Sequence, residues 1–288
     1  MATEYHMEWL RLMKQNRHRR WEFLNQDIVE PVLSKNEFYY RCRKRKNNAG
    51  ICRQVQEFRG YVDQQLQPPK EPALDYGEMA YALWLLGIKC AEHERTLQRR
   101  VNEFFKGSTY YESNLPGFRQ LLYEVHGICR LVEAGITFDD LHDEEAEPDL
   151  FVRAEEASFY LEVKLPVTNL RSCIDKAFKQ LRPDERPRTA LIAGLDSVLA
   201  LAGEEGRQAA LKACIAETDT AVKGRRTAIA LEFPADGTIE GGVDVYFAVD
   251  GQCCDAAVRR VLESMLLQES WHKSTLWQSV SSSCYLAG

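Results

Sequence analysis

The chain has 288 residues, of which 45% are hydrophobic, and carries a formal net charge of −6 at pH 7. This length is sufficient for one large or two modest hydrophobic cores, so we expect a globular protein with two domains. The acidic balance argues against a protein that binds polyanions through its overall charge, but the charge is uneven. Residues 1–135 contain 21 Lys and Arg against 17 Asp and Glu, whereas residues 136–288 contain 16 against 26, so the basic excess lies in the first half.

Cysteine content and hydropathy bear on the cellular compartment. The nine cysteines are an odd number without a repeated spacing, and the opening segment MATEYHMEWLRLMKQ contains no apolar leader region, which favours reduced thiols. The longest apolar run, at residues 80–88, is much shorter than the roughly 20 residues that a membrane-spanning helix requires. We therefore expect a cytoplasmic protein that does not cross a membrane.

The first 115 residues have the composition of helices joined by prolines. They are rich in Glu, Arg, Gln and Leu, contain almost no β-branched runs, and are interrupted at QPPKEPALD and SNLPG. This pattern predicts an all-helical region over residues 1–115, which we expect to engage the substrate or a partner.

Residues 116–288 show the alternating pattern of an α/β domain. A long helix is predicted over residues 118–134, and further helices near 169–182, 206–222 and 254–269. The predicted strands cover residues 148–154, 158–166, 188–195, 226–233 and 243–249.

Two of these strands form a hairpin that carries ionisable residues. In the strand SFYLEVKL, period-two alternation places Glu162 and Lys164 on one face, about 7 Å apart along the strand. The turn at residues 155–157 folds this strand back on PDLFVRA, so Asp149 at the far end of the hairpin is expected beside the pair. Mg²⁺ prefers oxygen ligands and is usually anchored by one or two carboxylates, so Asp149 and Glu162 suffice as metal ligands, with Mn²⁺ able to substitute. Lys164 could then act on a metal-bound water and on phosphate oxygens.

The long helix before the hairpin supplies a third candidate carboxylate. Its apolar stripe includes Leu121, Val125 and Cys129, and Glu124 lies at the margin of that stripe. A charge facing the sheet needs a partner, which favours Glu124 as an additional metal ligand. A solvated Glu124 is the alternative interpretation, and Glu133 is the alternative carboxylate in the same helix.

A helix glutamate, a Pro-Asp that opens a strand and a second strand with Glu-x-Lys together resemble the PD-(D/E)XK nuclease superfamily. The matching residues are Glu124, Pro148-Asp149 and Glu162-Val163-Lys164, and the resemblance covers about residues 117–250. It implies a restriction-endonuclease-like core, a mixed sheet flanked by helices, in which these residues bind metal and Lys164 is catalytic. It also implies hydrolysis of phosphodiester bonds, most naturally by a DNA endonuclease. By analogy the context would be a bacterial or phage conflict system such as antiviral defence, with a regulatory or delivering protein partner.

Basic residues outside the hairpin are candidates for backbone contacts with nucleic acid. Lys176 and Lys179 are predicted on the solvent side of the helix near 169–182. The segment RCRKRKNN contains Arg43, Lys44 and Arg45, and Arg17, Arg19 and Arg20 precede it, but an ordinary solvated helix face explains these residues equally well.

Other interpretations remain open from the sequence alone. The hairpin could be a surface element with a simple ion pair, and the acidic run at 139–147 is interpreted as a solvated loop. Two Cys/His pairs, Cys90 with His93 and His126 with Cys129, have a spacing that suits zinc. RNA cleavage and a catalytically silent binding protein on the same fold are the functional alternatives. The oligomeric state, a homo-oligomer included, is left undetermined.

Overall fold

The computed structural model describes residues 4–34, 50–69, 76–77, 79–81, 83–84, 116–141, 147–234, 243–251 and 256–267. Contacts divide the chain into two compact units. The first unit contains residues 1–129 and 275–288, and the second contains residues 130–274. The predicted division into residues 1–115 and 116–288 stays a prediction.

The described part of the first unit before residue 116 is helical or turn-like, as the composition predicts. Its helices are α1 (Glu4–Gln15), α2 (Arg20–Glu22), α3 (Glu30–Ser34) and α4 (Gly50–Asp63), with a π-helix at Phe23–Val29 between α2 and α3. Aromatic side chains fill the core of this unit. The Trp9 ring contacts Tyr81 and Trp84 at centroid distances of 5.2 and 5.3 Å, and Phe58 stacks on Tyr76 at 3.8 Å.

The second unit is built on a six-stranded mixed sheet in the order β1-β2-β3-β4-β5-β6. The strands are β1 (Thr137–Asp140), β2 (Leu150–Arg153), β3 (Ser158–Lys164), β4 (Thr189–Gly194), β5 (Thr227–Pro234) and β6 (Val243–Val249). Strands β3, β4 and β5 are parallel neighbours, whereas the remaining pairs are antiparallel. The architecture is therefore α/β with a mixed sheet, as predicted.

Helices cover the sheet because both faces carry apolar side chains. After α5 (Pro116–Glu133), the helices are α6 (Leu170–Leu181), α7 (Asp196–Leu201), α8 (Gly203–Val222) and α9 (Ala256–Leu266). Helices α6, α7 and α8 pack in one core cluster with Leu191 and Ala193 of β4 and Ile229 and Leu231 of β5. Parallel register aligns Glu162 with Leu191 and Lys164 with Ala193, so the ionisable pair lies on this same face.

Local signals explain the ends of α6, which connects β3 to β4. Asn169 is its N-cap, and its side-chain oxygen accepts a hydrogen bond from the Ser172 amide at 3.0 Å. Arg182 is the C-cap and adopts a left-handed conformation with φ of 45°. The helix buries Leu170, Ile174 and Leu181 and leaves its basic residues on the other side.

All five predicted strands and the three helices that follow the hairpin are confirmed, but two elements were missed. Strand β1 has the sequence TFDD and buries only Phe138, so it has too few apolar residues for an alternation signal. The interpretation of residues 139–147 as a loop is therefore wrong for Asp139 and Asp140, which pair with β2. Helix α7 has only six residues, too short to show helical periodicity.

A buried ion pair holds the last turn of α5 to the sheet of the second unit. Arg130 Nη1 lies 2.7 Å from Glu232 on β5, and these side chains are only 7% and 6% exposed. Side chains alternate along β5, so Glu232 points to the sheet face opposite that of Ile229 and Leu231. The ion pair therefore lies on the face away from α6.

We expect Arg130→Met to lower the free energy of unfolding by about 3–5 kcal/mol, because it leaves the Glu232 charge buried without this partner. Replacing both residues by methionine should restore much of that loss. Arg153→Met is the matched control, since Arg153 pairs with Asp139 at the surface, and it should cost less than about 1 kcal/mol. Urea denaturation followed by circular dichroism measures all three. Equal losses for Arg130→Met and Arg153→Met would contradict the role of burial.

Candidate functional site

The β2–β3 hairpin brings Asp149, Glu162 and Lys164 together. Leu150 pairs with Leu161 in the antiparallel register, so Asp149, immediately before β2, lies opposite Glu162. The turn that allows this is short, with the Ala154 amide donating to the Ala157 carbonyl at 3.1 Å. The juxtaposition expected from the sequence is therefore present in the structure.

Backbone amides fix one oxygen of each carboxylate. The Asp149 amide donates to Oε2 of Glu162 at 2.9 Å, and the Val163 amide donates to Oδ2 of Asp149 at 2.9 Å. These reciprocal bonds hold the residue before β2 against the end of β3. The second oxygen of Glu162, Oε1, faces the Lys164 ammonium group.

Lys164 supplies the positive charge of the cluster. Its Nζ contacts Oε1 of Glu162 in an ion pair and lies 4.0 Å from Oδ2 of Asp149. The Lys164 side chain is 21% exposed, whereas the side chains of Asp149 and Glu162 are 6% and 0% exposed. Solvent therefore approaches the cluster from the lysine side. The two carboxylates do not lie at the surface, whereas the alternative of an ion pair without a catalytic role stays a prediction.

Burial disfavours the ionised form of Glu162. Desolvation raises the pKa of Glu162 from its ordinary value of 4.5, the nearby Asp149 carboxylate raises it further, and Lys164 lowers it, to give a pKa of about 8. At neutral pH the Glu162 carboxyl therefore keeps its proton in the folded chain. A bound cation would take the place of that proton.

The donor atoms suit a hard divalent cation. Both acids offer carboxylate oxygens, which Mg²⁺ and Mn²⁺ prefer, and one or two carboxylates are the usual protein contribution to a magnesium site. Within the described residues, no group of three or more His, Cys, Asp or Glu side chains has a metal-binding arrangement. The cluster offers two carboxylates, those of Asp149 and Glu162.

Glu124, the predicted third ligand, belongs to the first unit. It is 7% exposed on α5, and Oε1 accepts a hydrogen bond from Nε2 of Gln120 at 2.7 Å. The alternative of a solvated Glu124 is therefore wrong, while its role as a ligand stays a prediction. The side chain of Glu133, the other candidate in this helix, lies outside the described part of the structure.

The structure describes some of the basic residues that were predicted to contact nucleic acid, but not all of them. Lys176 and Lys179 are exposed on α6, as expected for phosphate contacts. Arg43, Lys44 and Arg45 lie outside the described residues. Among the earlier arginines, Arg20 is buried and Arg19 pairs with Asp27 at 2.8 Å, so both are engaged within the first unit.

Cys173 on α6 is a neighbour of the cluster that sequence reasoning missed. Burial raises the pKa of its thiol to about 11, with Lys164, Glu162 and Lys176 close enough to act on it electrostatically. The thiol is therefore protonated at neutral pH and is not an activated nucleophile. Of the residues considered for zinc, Cys90, His93 and the side chain of His126 lie outside the described part, and Cys129 is buried.

We expect Glu162→Gln to change how stability depends on pH. With a pKa of about 8 in the folded state against 4.5 ordinarily, Glu162 keeps its proton in the folded chain where the unfolded chain has lost it. Its contribution to the free energy of unfolding therefore falls as pH rises from about 4.5 to about 8, by at most about 1.4 kcal/mol per pH unit. Relative to wild type, Glu162→Gln should gain stability over that interval.

Urea denaturation at pH 5, 6, 7 and 8 measures this difference. Glu155→Gln, on the exposed hairpin turn, is the matched control for removal of a carboxylate and should keep the wild-type slope. Parallel stability curves for wild type and Glu162→Gln would contradict a raised pKa at this position.

Comparisons with known proteins and the hydropathy of the helices add two findings. The chain matches no protein-family model, no curated protein and no solved structure. Among the described residues, no helix combines the length and the apolar character needed to cross a membrane.

Proposed function

We propose that the chain is a divalent-metal-dependent nuclease that hydrolyses phosphodiester bonds, with DNA cut internally as its substrate. One observation carries the proposal: the buried Asp149 and Glu162 carboxylates lie together beside the Lys164 ammonium group at a rim open to solvent. Two carboxylates held together in this way suit a cation-binding site. A simple structural ion pair needs no second carboxylate.

Each residue of the cluster has a distinct task in this proposal. Asp149 and Glu162 would hold Mg²⁺ or Mn²⁺ through carboxylate oxygens while backbone amides keep both groups oriented. When bound, the ion would make water more acidic and offset charge on the phosphate. Lys164 would orient the attacking water and stabilise negative charge on the phosphate oxygens from the exposed rim.

The order of elements supports the resemblance to the PD-(D/E)XK nucleases. A helix with Glu124 precedes β1, Pro148-Asp149 precedes β2, and Glu162-Val163-Lys164 ends β3. These elements belong to a mixed sheet flanked by helices. We propose the restriction-endonuclease-like fold on this basis.

Nucleic acid is the substrate class that the surroundings of the cluster favour. Lys176 and Lys179 are exposed on α6, the helix whose Cys173 lies beside Glu162 and Lys164, and lysines contact phosphates without reading bases. A protein partner would deliver substrate or restrain the activity. RNA cleavage and silent binding are outcomes that the following assay separates.

We expect the purified chain to nick or linearise closed circular plasmid with Mg²⁺ or Mn²⁺ and to lose this activity in EDTA. Gel analysis of plasmid, linear duplex, single-stranded DNA and RNA measures substrate choice. If the chain cleaved RNA alone, the substrate would be RNA and not DNA. A requirement for a free end would make the enzyme an exonuclease, and metal-independent cleavage would refute the mechanism.

We expect substitutions of the three residues to impair activity in different ways. Asp149→Ala and Glu162→Ala each remove oxygen ligands, so Mn²⁺ affinity should fall together with cleavage. Lys164→Ala removes a competing positive charge, so Mn²⁺ should bind at least as tightly while cleavage falls by roughly 10²-fold or more. Glu124→Gln should have an intermediate effect on both. Calorimetric titration with Mn²⁺, paired with plasmid cleavage rates, measures the two effects.

Glu155→Ala, on the exposed turn of the same hairpin, is the control and should resemble wild type in both measurements. If Lys164→Ala cleaved plasmid at the wild-type rate, the lysine would be only an ion-pair partner. The proposal would then lose its central residue.

A further inference from the structure

Several side chains converge on Glu147, two residues before Asp149. Arg186 Nη2 forms an ion pair with Oε2 of Glu147, and Arg182 Nη2 lies 3.9 Å from Oε1. Gln180 Nε2 donates a hydrogen bond to the Glu147 backbone carbonyl at 3.2 Å. Both the side chain and the backbone of Glu147 are therefore held by the end of α6 and the turn that follows it.

Among these side chains, that of Arg186 is itself held in place by an aromatic ring and by burial. Its guanidinium carbon lies 3.9 Å from the centroid of the Tyr160 ring, and its side chain is only 13% exposed. A cation placed over an aromatic face is attracted by the ring, more strongly when both are removed from water. The aromatic face and the Glu147 carboxylate together hold the Arg186 guanidinium in place.

Strand β3 anchors the segment 147–149 at two places on one face. Tyr160 and Glu162 are two residues apart, so their side chains point to the same side of the strand. Tyr160 holds Arg186 against Glu147, and Glu162 accepts the Asp149 amide. The segment that carries Asp149 is thus fastened at each end, with Pro148 between the two anchors to limit backbone freedom.

We propose that Arg186 is a positioning residue that sets the orientation of the Asp149 carboxylate through Glu147. Its effect on metal affinity rests on the proposed function, whereas its effect on the local structure does not. Without Arg186, the segment would keep the hydrogen bonds of Asp149 to Glu162, Val163 and Leu141. Glu147 would keep the weaker contacts of Arg182 and Gln180. The Asp149 oxygens would then spend less time in the orientation that binds a cation.

The local effect can be measured without any metal. The Val163 amide donates to Asp149 and the Asp149 amide donates to Glu162, so hydrogen exchange at these two amides reports whether the segment stays in place. In Arg186→Met and Glu147→Gln, both amides should exchange about tenfold faster than in wild type. Amides of Ile192 and Ala230, in the adjacent strands, should keep their wild-type rates and show that the sheet remains folded.

The metal effect is measured by calorimetric titration of the full chain with Mn²⁺ alone. Arg186→Met and Glu147→Gln should each weaken binding by about tenfold or more, the range found for residues that orient metal ligands. The double variant should bind no more weakly than the single variants, because both substitutions remove the same contact. Arg186→Lys keeps the charge but loses the planar group over Tyr160. Its Mn²⁺ affinity should therefore lie between those of wild type and Arg186→Met.

Arg153→Met is the matched control. Arg153 also pairs with a carboxylate, Asp139, and lies 5.2 Å from the Phe151 ring, but at the other end of β2 from Asp149. It should leave both the exchange rates at Asp149 and Val163 and the Mn²⁺ affinity unchanged.

The two measurements separate failure of the positioning role from failure of the proposed function. Unchanged exchange at Asp149 and Val163 in Arg186→Met would overturn the positioning role. Faster exchange with unchanged Mn²⁺ affinity would overturn its link to metal binding. A wild-type chain that binds no Mn²⁺ would instead refute the proposed function, while the exchange rates would still decide whether Arg186 positions Asp149.

Discussion

Two carboxylates that share one ammonium group in a buried position are the constraint on which the candidate site depends. Asp149 and Glu162 are almost removed from solvent, and this desolvation together with repulsion from the nearby Asp149 carboxylate raises the pKa of Glu162 to about 8. The surrounding structure holds the charges close together despite this repulsion. Backbone amides provide that support. The Glu162 carboxylate accepts a hydrogen bond from the Asp149 amide, and the Asp149 carboxylate accepts one from the Val163 amide. The same bonds join β3 to the residue that precedes β2, so the site and the hairpin stabilise each other.

Strand β3 organises the second unit through the alternation of its side chains. One face carries Phe159, Leu161 and Val163 and is fully committed to the core. The opposite face carries Tyr160, Glu162 and Lys164, which hold Arg186, the Asp149 amide and the Glu162 carboxylate respectively. Helix α6 covers this polar face, which is why Glu162 is buried although it alternates with apolar residues. A strand with one polar face can thus be buried on both sides when each polar group has a partner.

The sequence was sufficient to predict the parts of this arrangement that are local. Apolar alternation and a short turn predict the hairpin, and its register follows from the turn, so the meeting of Asp149 with Glu162 and Lys164 could be predicted. Burial of Glu162 could not, because it depends on β4 and α6, which follow later in the chain. Two arginine contacts were missed for the same reason, since Arg186 meets Glu147 across 39 residues and Arg130 meets Glu232 across 102. Strand β1 was missed because its sequence is mostly polar. It forms an edge strand only through its pairing with β2.

The two buried charge clusters of the sheet differ in a way that bears on function. On one face, Arg130 forms a buried ion pair with Glu232 on β5. On the other face, Lys164 has two acids to neutralise, and the Glu162 pKa is far above its ordinary value. Replacing Glu162 by an apolar residue of similar size would remove the repulsion, so stability alone does not explain the second carboxylate. The proposed metal-dependent nuclease would account for the second carboxylate, because Asp149 and Glu162 would then hold the cation together.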